Sequence, residues 1–232
     1  MTRLGGKTAV VTGASRGIGR AIALAFAAEG AQVGLIARSE LGLREVAGEI
    51  EARGGRAALA VADVSDSSAV NAAATLLRGA LGPCDVLVAN AGNVDRRPSR
   101  EVDDAAWRRV LSVNLDGTFW VIRAFVDDLT ARAGRIITIA SIAGRQGTPE
   151  LAAYCAAKHG VVGLTRSLAE ELRGAKVAVN AICPGSVDTE MLRQGRPGAE
   201  PDMSPGDIAR TALFLAADAP DALTGACIDV FG

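Results

Sequence analysis

The sequence predicts an α/β chain: a doubly wound parallel sheet of about seven strands flanked by helices. Three observations carry this. Short β-branched or apolar runs alternate with longer helical stretches from one end to the other, the pattern of repeated strand–helix–strand units. Apolar residues make up 49% of the 232 residues and aromatics only 3%. The core must therefore be aliphatic and Ala-rich, which suits helices packed closely on a sheet buried on both faces. No linker, repeat or low-complexity tract divides the chain, so one domain is expected over residues 1–232.

The first strand is expected at residues 7–12. It runs into Gly13-Ala14-Ser15-Arg16-Gly17-Ile18-Gly19 and then an Ala-rich helix to about residue 29. Strand, glycine turn and helix in that order let backbone approach a pyrophosphate, and the helix N-terminus supplies N–H groups and a partial positive charge. Gly13, Ser15, Arg16, Gly17, Ile18 and Gly19 are thus expected to bind a dinucleotide. The second strand covers residues 32–37. NAD-preferring dinucleotide folds carry an acidic residue near its end, whereas Ala37 and Arg38 stand there in this chain. Nothing repels a 2′-phosphate, and Arg38 and Arg16 could hold one, so NADP(H) is expected over NAD(H). Two solvated arginines are the alternative.

Further elements follow in order: a helix at 41–53, a strand at 56–61, a helix from about 67 and a strand at 85–89. A long helix is expected over 103–131 and a β-branched strand over 135–140. A helix through Lys158 reaches about residue 173, followed by a strand at 177–182, a helix at 205–217 and a last strand at 226–230.

The 135–140 strand stops at Ser141. Tyr154 follows, with Lys158 four residues later. Residues i and i+4 share one helix face, so phenol and ammonium point the same way. A cation beside a phenol favours the phenolate and is expected to lower the Tyr154 pKa from about 10. Such a tyrosine can give or take a proton, and Ser141 can hydrogen-bond the reacting oxygen. Tyr154 is the only tyrosine in the chain. Taken alone, the pair could equally be a solvated Tyr and Lys on a helix surface.

Composition bounds the remaining possibilities. A net charge of −1 leaves no nucleic-acid footprint. No apolar run approaches a membrane span, and too few residues precede the first strand for a signal peptide, so a cytoplasmic protein is expected. Cys84, Cys155, Cys183 and Cys227 show no CxxC spacing, and His159 is the only histidine. No metal site is expected; the thiols are expected to be buried and reduced, with Cys155 open to thiol reagents beside Tyr154.

Thr12-Gly13-x-x-x-Gly17-x-Gly19, Asn90-Ala91-Gly92, Asn114, the Ser141–Tyr154–Lys158 set and Pro184-Gly185 fall in one order along the chain. Together they resemble the short-chain dehydrogenase/reductase family, nearest in pattern to bacterial 3-oxoacyl-[acyl-carrier-protein] reductases. The resemblance covers essentially the whole chain. It implies a Rossmann-type fold with a dinucleotide-binding part at about 1–135 and a catalytic and substrate part at about 136–232. It further implies that Asp63 and Val64 border the adenine and that Asn90, Ala91 and Gly92 line the cofactor. Pro184, Gly185, Val187 and Thr189 would lie against the nicotinamide, and Asn114 would hold a water linking Lys158 to solvent. Tyr154 and Lys158 would touch the cofactor as well as form the catalytic set with Asn114 and Ser141. The implied activity is NADPH-dependent reduction of a ketone to a secondary alcohol, with a 3-oxoacyl thioester as one candidate and a small free ketone or sugar as another. An NAD(P)-dependent alcohol or sugar dehydrogenase runs the same step backwards. A catalytically silent dinucleotide-binding regulator is the non-enzyme alternative, against which the intact catalytic set argues.

Two stretches depart from those reductases. Residues 189–207, the substrate-covering region of the family, are rich in Gly and Pro and shorter by roughly a dozen residues, and a short lid is expected to close a pocket poorly. The sequence also ends Asp229-Val230-Phe231-Gly232, where relatives carry a Gly-Gly pair and a tail. Arg132 matches a basic residue that relatives use to dock an acidic carrier protein, and Arg173 and Lys176 could extend the patch; ordinary solvated arginines are the alternative. Self-association, as a tetramer or dimer, is expected from apolar residues on more than one helix face: Val110, Leu111, Val113, Phe119, Val121, Ile122 and Phe125 on one helix, Val161, Val162, Leu164 and Leu168 on the other.

Overall fold

Strands buried on both faces, each followed by a helix, leave the chain little choice of arrangement. The computed structural model describes residues 2–196 and 198–231. Its strands are β1 (Thr8–Thr12), β2 (Gln32–Ala37), β3 (Arg56–Val61), β4 (Val86–Ala89), β5 (Arg135–Ile139), β6 (Ala178–Pro184) and β7 (Cys227–Val230). Its helices are α1 (Gly17–Ala28), α2 (Glu40–Ala52), α3 (Ser67–Leu81), α4 (Asp104–Leu111), α5 (Gly117–Arg132), α6 (Ala152–Glu171), α7 (Glu190–Gly195) and α8 (Pro205–Leu213). The strands form one sheet in the order β3-β2-β1-β4-β5-β6-β7, and every pairing is parallel.

Alternate side chains divide the core into two layers, as strand geometry requires. Ala9, Val11, Val33 and Leu35 pack with Ile22 and Phe26 of α1, Leu43 of α2 and Ile208 of α8. Val10, Ile36 and Leu87 face the other way, against Val70 of α3, Phe125 of α5 and Leu168 of α6. Chain order reverses at β1, whose neighbours are β2 and β4. The C-terminal edge at that junction is where open α/β sheets place their ligands.

Helix starts are written locally. Ser39, Asp66 and Asp103 each accept a hydrogen bond from a first-turn N–H of α2, α3 and α4, satisfying donors that would otherwise lack partners. The helix expected over 103–131 is two helices joined by a π-helical turn at Ser112–Asp116, an irregularity that apolar periodicity does not register. A second π turn, Phe214–Asp218, follows α8 and shortens the helix expected over 205–217. Pro197, within the expected lid, and Gly232 lie outside the described residues. Among the described residues no helix is long and apolar enough to cross a membrane.

Most of the residues named for self-association are already covered within one chain. Val110, Val121, Ile122, Phe125, Val161, Val162 and Leu168 are buried, and Leu111, Val113 and Leu164 are half-buried. The sheet and the α4–α6 contact cover more of these helices than one face. What stays open is Phe119, with Trp120 beside it and the Arg123 guanidinium 4.3 Å from the Trp120 ring centre.

Arg132 stands where the sequence places it, before β5, and is engaged by a carboxylate of its own chain. It closes α5, just before β5 begins, whereas Ser141 lies past the other end of β5. Its Nε donates to Asp85 Oδ1 at 3.0 Å and its Nη2 to Asp85 Oδ2 at 3.3 Å. Arg173 donates to Glu170, and Arg173 and Lys176 precede β6 at that same remote edge. Asp85, 3% exposed, also accepts from the Thr8 N–H at 3.0 Å and Lys7 Nζ at 3.2 Å. Burial works to raise its pKa, but the Thr8 N–H, Arg132 and Lys7 outweigh it and hold the carboxyl below its ordinary value. A depressed folded value adds stability above the unfolded pKa and loses it as pH falls through the folded one. Asp85→Asn is therefore expected to lower the thermal midpoint near neutral pH, with the gap to wild type narrowing below about pH 4. A gap that stays constant from neutral to acid would show that the charge is not what matters there.

Candidate active site

The site is assembled where β1, β4, β5 and β6 end. Thr12 closes β1, and its Oγ1 accepts from the N–H groups of Asn90 at 2.9 Å and Ala91 at 3.0 Å. Asn90 Nδ2 returns a bond to the Thr12 carbonyl at 2.8 Å. The glycine turn lies directly on this cross-link. A Cβ at Gly19 would meet the Gly13 carbonyl at 2.3 Å and Asn90 Nδ2 at 2.5 Å, and Gly13 itself has φ +64°. Only glycine fits such approaches.

α1 starts without a side-chain cap and without an acidic residue in its first turn, Arg16 standing at the N-cap position. Its first N–H groups thus face the cleft unclaimed by a cap, the disposition that receives an anion. The cleft has a volume of about 910 Å³. Of the residues expected to hold a dinucleotide, Gly13, Ser15, Arg16, Gly17, Ile18, Arg38, Asp63, Val64, Asn90, Ala91, Gly92 and Thr189 line it. Gly19 lies under the turn. Pro184 ends β6, Gly185 donates its N–H to the Val230 carbonyl, and Val187 pairs with Met203; these three, and Tyr154 and Lys158 on α6, stand outside the cleft lining. An uncapped helix start, a turn that tolerates no Cβ and a cleft of this size fit a dinucleotide.

Both arginines expected to hold a 2′-phosphate already face carboxylates. Arg16 Nη1 pairs with Glu190, and Arg38 Nη1 lies 3.7 Å from Asp63 Oδ2. Burial works to raise the Asp63 pKa, but the Ser65 N–H and hydroxyl, with Arg38, hold it low.

Ser141, Tyr154 and Lys158 gather at the β5 edge, and Asn114 lies against Gly92 and Asn93 in the loop after β4. The 142–144 turn that carries the chain past Ser141 presses on α6, and a Cβ at Gly144 would lie 2.6 Å from the Lys158 carbonyl. Lys158, 4% exposed, donates from Nζ to the Ile139 carbonyl at 2.8 Å and sits 5.7 Å from the Tyr154 ring centre. Burial lowers its pKa to about 8, with a small opposing effect of Cys183. Ser141 Oγ accepts the Ala143 N–H at 3.1 Å. Tyr154 packs among Val110, Ala143 and Leu151.

The phenol does not behave as the Tyr–Lys spacing predicts. Burial pushes its pKa up to about 12, Ser141 pulls it down in part, and Cys155 adds to the rise. Desolvation of a neutral acid in an apolar pocket outweighs a cation that is itself buried and turned to a backbone carbonyl. The phenol is held protonated.

Asn114 sits in the π turn with no exposure. Its Nδ2 donates to the Asn93 and Val110 carbonyls, both at 2.9 Å, and to Asn93 Oδ1 at 2.6 Å, while its Oδ1 has no partner among the described residues. Cys84 and Cys183 are buried, Cys155 and Cys227 half-buried, and all four are free thiols.

The short lid is better tied down than its composition predicts. Thr189 caps α7 through a bond from the Leu192 N–H to Thr189 Oγ1. Arg16–Glu190 joins α7 to the glycine turn, and Arg96 joins it to the far wall, donating to the Gly195 carbonyl at 3.1 Å and to Glu150 Oε2 at 2.9 Å. Asn93, Arg96, Glu150 and Glu190 carry no motif that sequence reading could pick out; their roles follow from pairings distant along the chain.

Residues 7–200 match the family model of the short chain dehydrogenases. The chain is 43% identical over 245 residues to galactitol 2-dehydrogenase (L-tagatose-forming) of Cereibacter sphaeroides, covering 99% of this chain and 95% of that protein. It is 36% identical over 238 residues to 3-oxoacyl-[acyl-carrier-protein] reductase FabG of Escherichia coli, covering 98% and 96%. Among solved structures, carveol dehydrogenase from Mycobacterium avium with NAD superposes with a TM-score of 0.93 at 31% identity, covering 100% of this chain and 98% of that one. A Beutenbergia cavernae protein described as an NAD(P)-dependent gluconate 5-dehydrogenase, with NADP bound, gives a TM-score of 0.90 at 42% identity, covering 97% and 95%. With the seven-stranded parallel sheet, the glycine-lined cleft and this match in hand, the chain belongs to the short-chain dehydrogenase/reductase family, oxidoreductases acting on alcohols and ketones.

Proposed function

We propose that the chain interconverts a secondary alcohol and a ketone on a small polyol or sugar-like substrate, with NADP(H) as redox partner. One observation carries the reading: Ser141, Tyr154 and Lys158 come together past the C-terminal end of β5, on the sheet edge where β1 and β4 end at a glycine-lined cleft that fits a dinucleotide. Bound in that cleft, the nicotinamide would supply hydride for reduction or accept it for oxidation. The chain's own groups handle the oxygen and the proton. Tyr154, protonated because it is buried, gives its proton to the substrate oxygen in reduction. Ser141 Oγ accepts the Ala143 N–H and keeps its own hydrogen to polarise that oxygen. Lys158, held by the Ile139 carbonyl, has two further N–H groups for a ribose. Asn114, buried in the π turn, is the residue that the family resemblance gives the water linking Lys158 to solvent. The names of the galactitol and gluconate relatives support a polyol or sugar substrate. Arg132, the residue named for carrier docking, is engaged by Asp85, so the polyol reading is placed ahead of a carrier-bound thioester.

A panel of polyols with NADP⁺ and NAD⁺, and of ketoses and 3-oxoacyl thioesters with NADPH and NADH, is expected to give turnover on a polyol–ketose pair. Tyr154→Phe should abolish that turnover and leave cofactor binding nearly intact, whereas Lys158→Ala should damage both. Turnover by Tyr154→Phe above about a tenth of wild type would remove the phenol from the mechanism. No turnover by wild type on any member would favour the silent dinucleotide-binding regulator.

Cofactor choice is ascribed to Arg38 and Arg16, which stand where an acidic strand end would select NAD. Both are exposed, and a 2′-phosphate would compete with Asp63 and Glu190 for them. Arg38→Asp should weaken NADPH binding about a hundredfold and hardly change NADH. Equal use of NADH and NADPH by wild type would contradict this.

Self-association is ascribed to the open Phe119–Trp120 face of α5. Light scattering should give a dimer or tetramer that Phe119→Glu dissociates, and a monomeric wild type would rule it out.

A further inference from the structure

Both ends of α7 are seated on the loop that follows β4. At its start, the Met191 methyl would lie 3.7 Å from a Cβ on Gly92. At its end, a Cβ on Gly195 would meet the two Val94 methyls at 3.2 and 3.4 Å. Val94 in turn packs with the apolar cluster around the buried Tyr154. The end of α7 therefore rests on the wall of the pocket that holds the phenol. A substrate chain that extends from Tyr154 past Val94 runs into it.

Arg96 fastens this contact. Its Nη1 donates to the Gly195 carbonyl at 3.1 Å and its Nε to Glu150 Oε2 at 2.9 Å. Glu150 has φ +64°, in the left-handed region that a non-glycine residue rarely adopts. The Arg97 N–H holds it there by donating to its carbonyl at 3.0 Å. A strained residue held from two sides points to a role beyond packing. The seat is itself fixed to α4, because Asp95 accepts from Arg97 and from Arg109. By contrast α7 has six residues, too few to hold its shape without outside contacts. It is α7 that lifts when the latch is lost.

We propose that Arg96 is a specificity-determining residue: by latching the end of α7 to Glu150 it closes the space beyond Tyr154 and confines the site to short substrates. This rests on the oxidoreductase reading above and gives its substrate class a size. A short polyol or ketose fits, whereas a long chain has to displace α7 from Val94. Lysine is no substitute, since a single ammonium lacks the planar fork that spans a carbonyl and a carboxylate together.

Straight-chain methyl ketones, from butanone to dodecan-2-one, test this as substrates with NADPH or as competitive inhibitors of the ketose turned over. Wild type should favour the short members. In Arg96→Ala the ratio of long-chain to short-chain affinity should rise about tenfold, mainly through KM or Ki of the long members. Arg96→Lys should move the ratio the same way, and it stands in if the alanine variant does not fold. The second measurement needs no turnover: backbone amide exchange in residues 190–195 should quicken about tenfold in either variant, relative to α1. A wild type that takes long ketones as readily as short ones, an unchanged ratio in both variants, or unchanged α7 exchange would overturn the proposal and leave the oxidoreductase reading standing. Should wild type turn over nothing, that reading fails and the size limit falls with it.

Discussion

The site depends first on the Thr12 hydroxyl. It lies between the ends of β1 and β4 and takes the first two N–H groups beyond β4. In a parallel sheet those groups have no further strand partner, and buried N–H groups are costly to leave unpaired. Asn90 answers from the other side by donating to the Thr12 carbonyl. Two loops that would otherwise diverge are thereby held side by side, close enough that Gly13 and Gly19 have no room for a Cβ. The same closeness aims the uncapped start of α1 into the cleft.

Burial sets the electrostatics of the rest. Lys158 and Tyr154 sit where neither charge is solvated, so the lysine moves toward neutrality and the phenol away from ionising. A buried cation needs a partner, and Ile139 supplies one with its carbonyl. The π turn does similar work for Asn114. Its carbonyl accepts from Thr118 Oγ1 at 2.8 Å, and its side chain is turned inward toward Asn93. By contrast, Arg16 and Arg38 meet their carboxylates in solvent, where ion pairs are weak and open to exchange. Lys158 is thus dry and held at the β5 edge, whereas Arg38 lines the cleft in contact with solvent.

All seven strands and the helices around them, apart from α7 in the stretch read as a lid, were legible in the sequence, because apolar alternation and glycine punctuation act over a few residues. The glycine turn was legible for the same reason, as was the shared helix face of Tyr154 and Lys158. Four features were not. The π turn at Ser112–Asp116 leaves the apolar pattern of its helices intact. Arg132 could have faced solvent or a partner; Asp85, 47 residues away in sequence, claims it. The lid is fastened by Arg16 and Arg96, again from distant loops. The phenol shift of Tyr154 went opposite to the direction that the i, i+4 pair predicts. By itself, then, the sequence determined backbone path, sheet edge and the residue types that meet there, since these follow from local periodicity and turn chemistry. Tertiary structure alone decided which charges are paired, which are dry and which way the Asn114 amide points, because desolvation and hydrogen-bond partners come from packing between segments far apart in the chain.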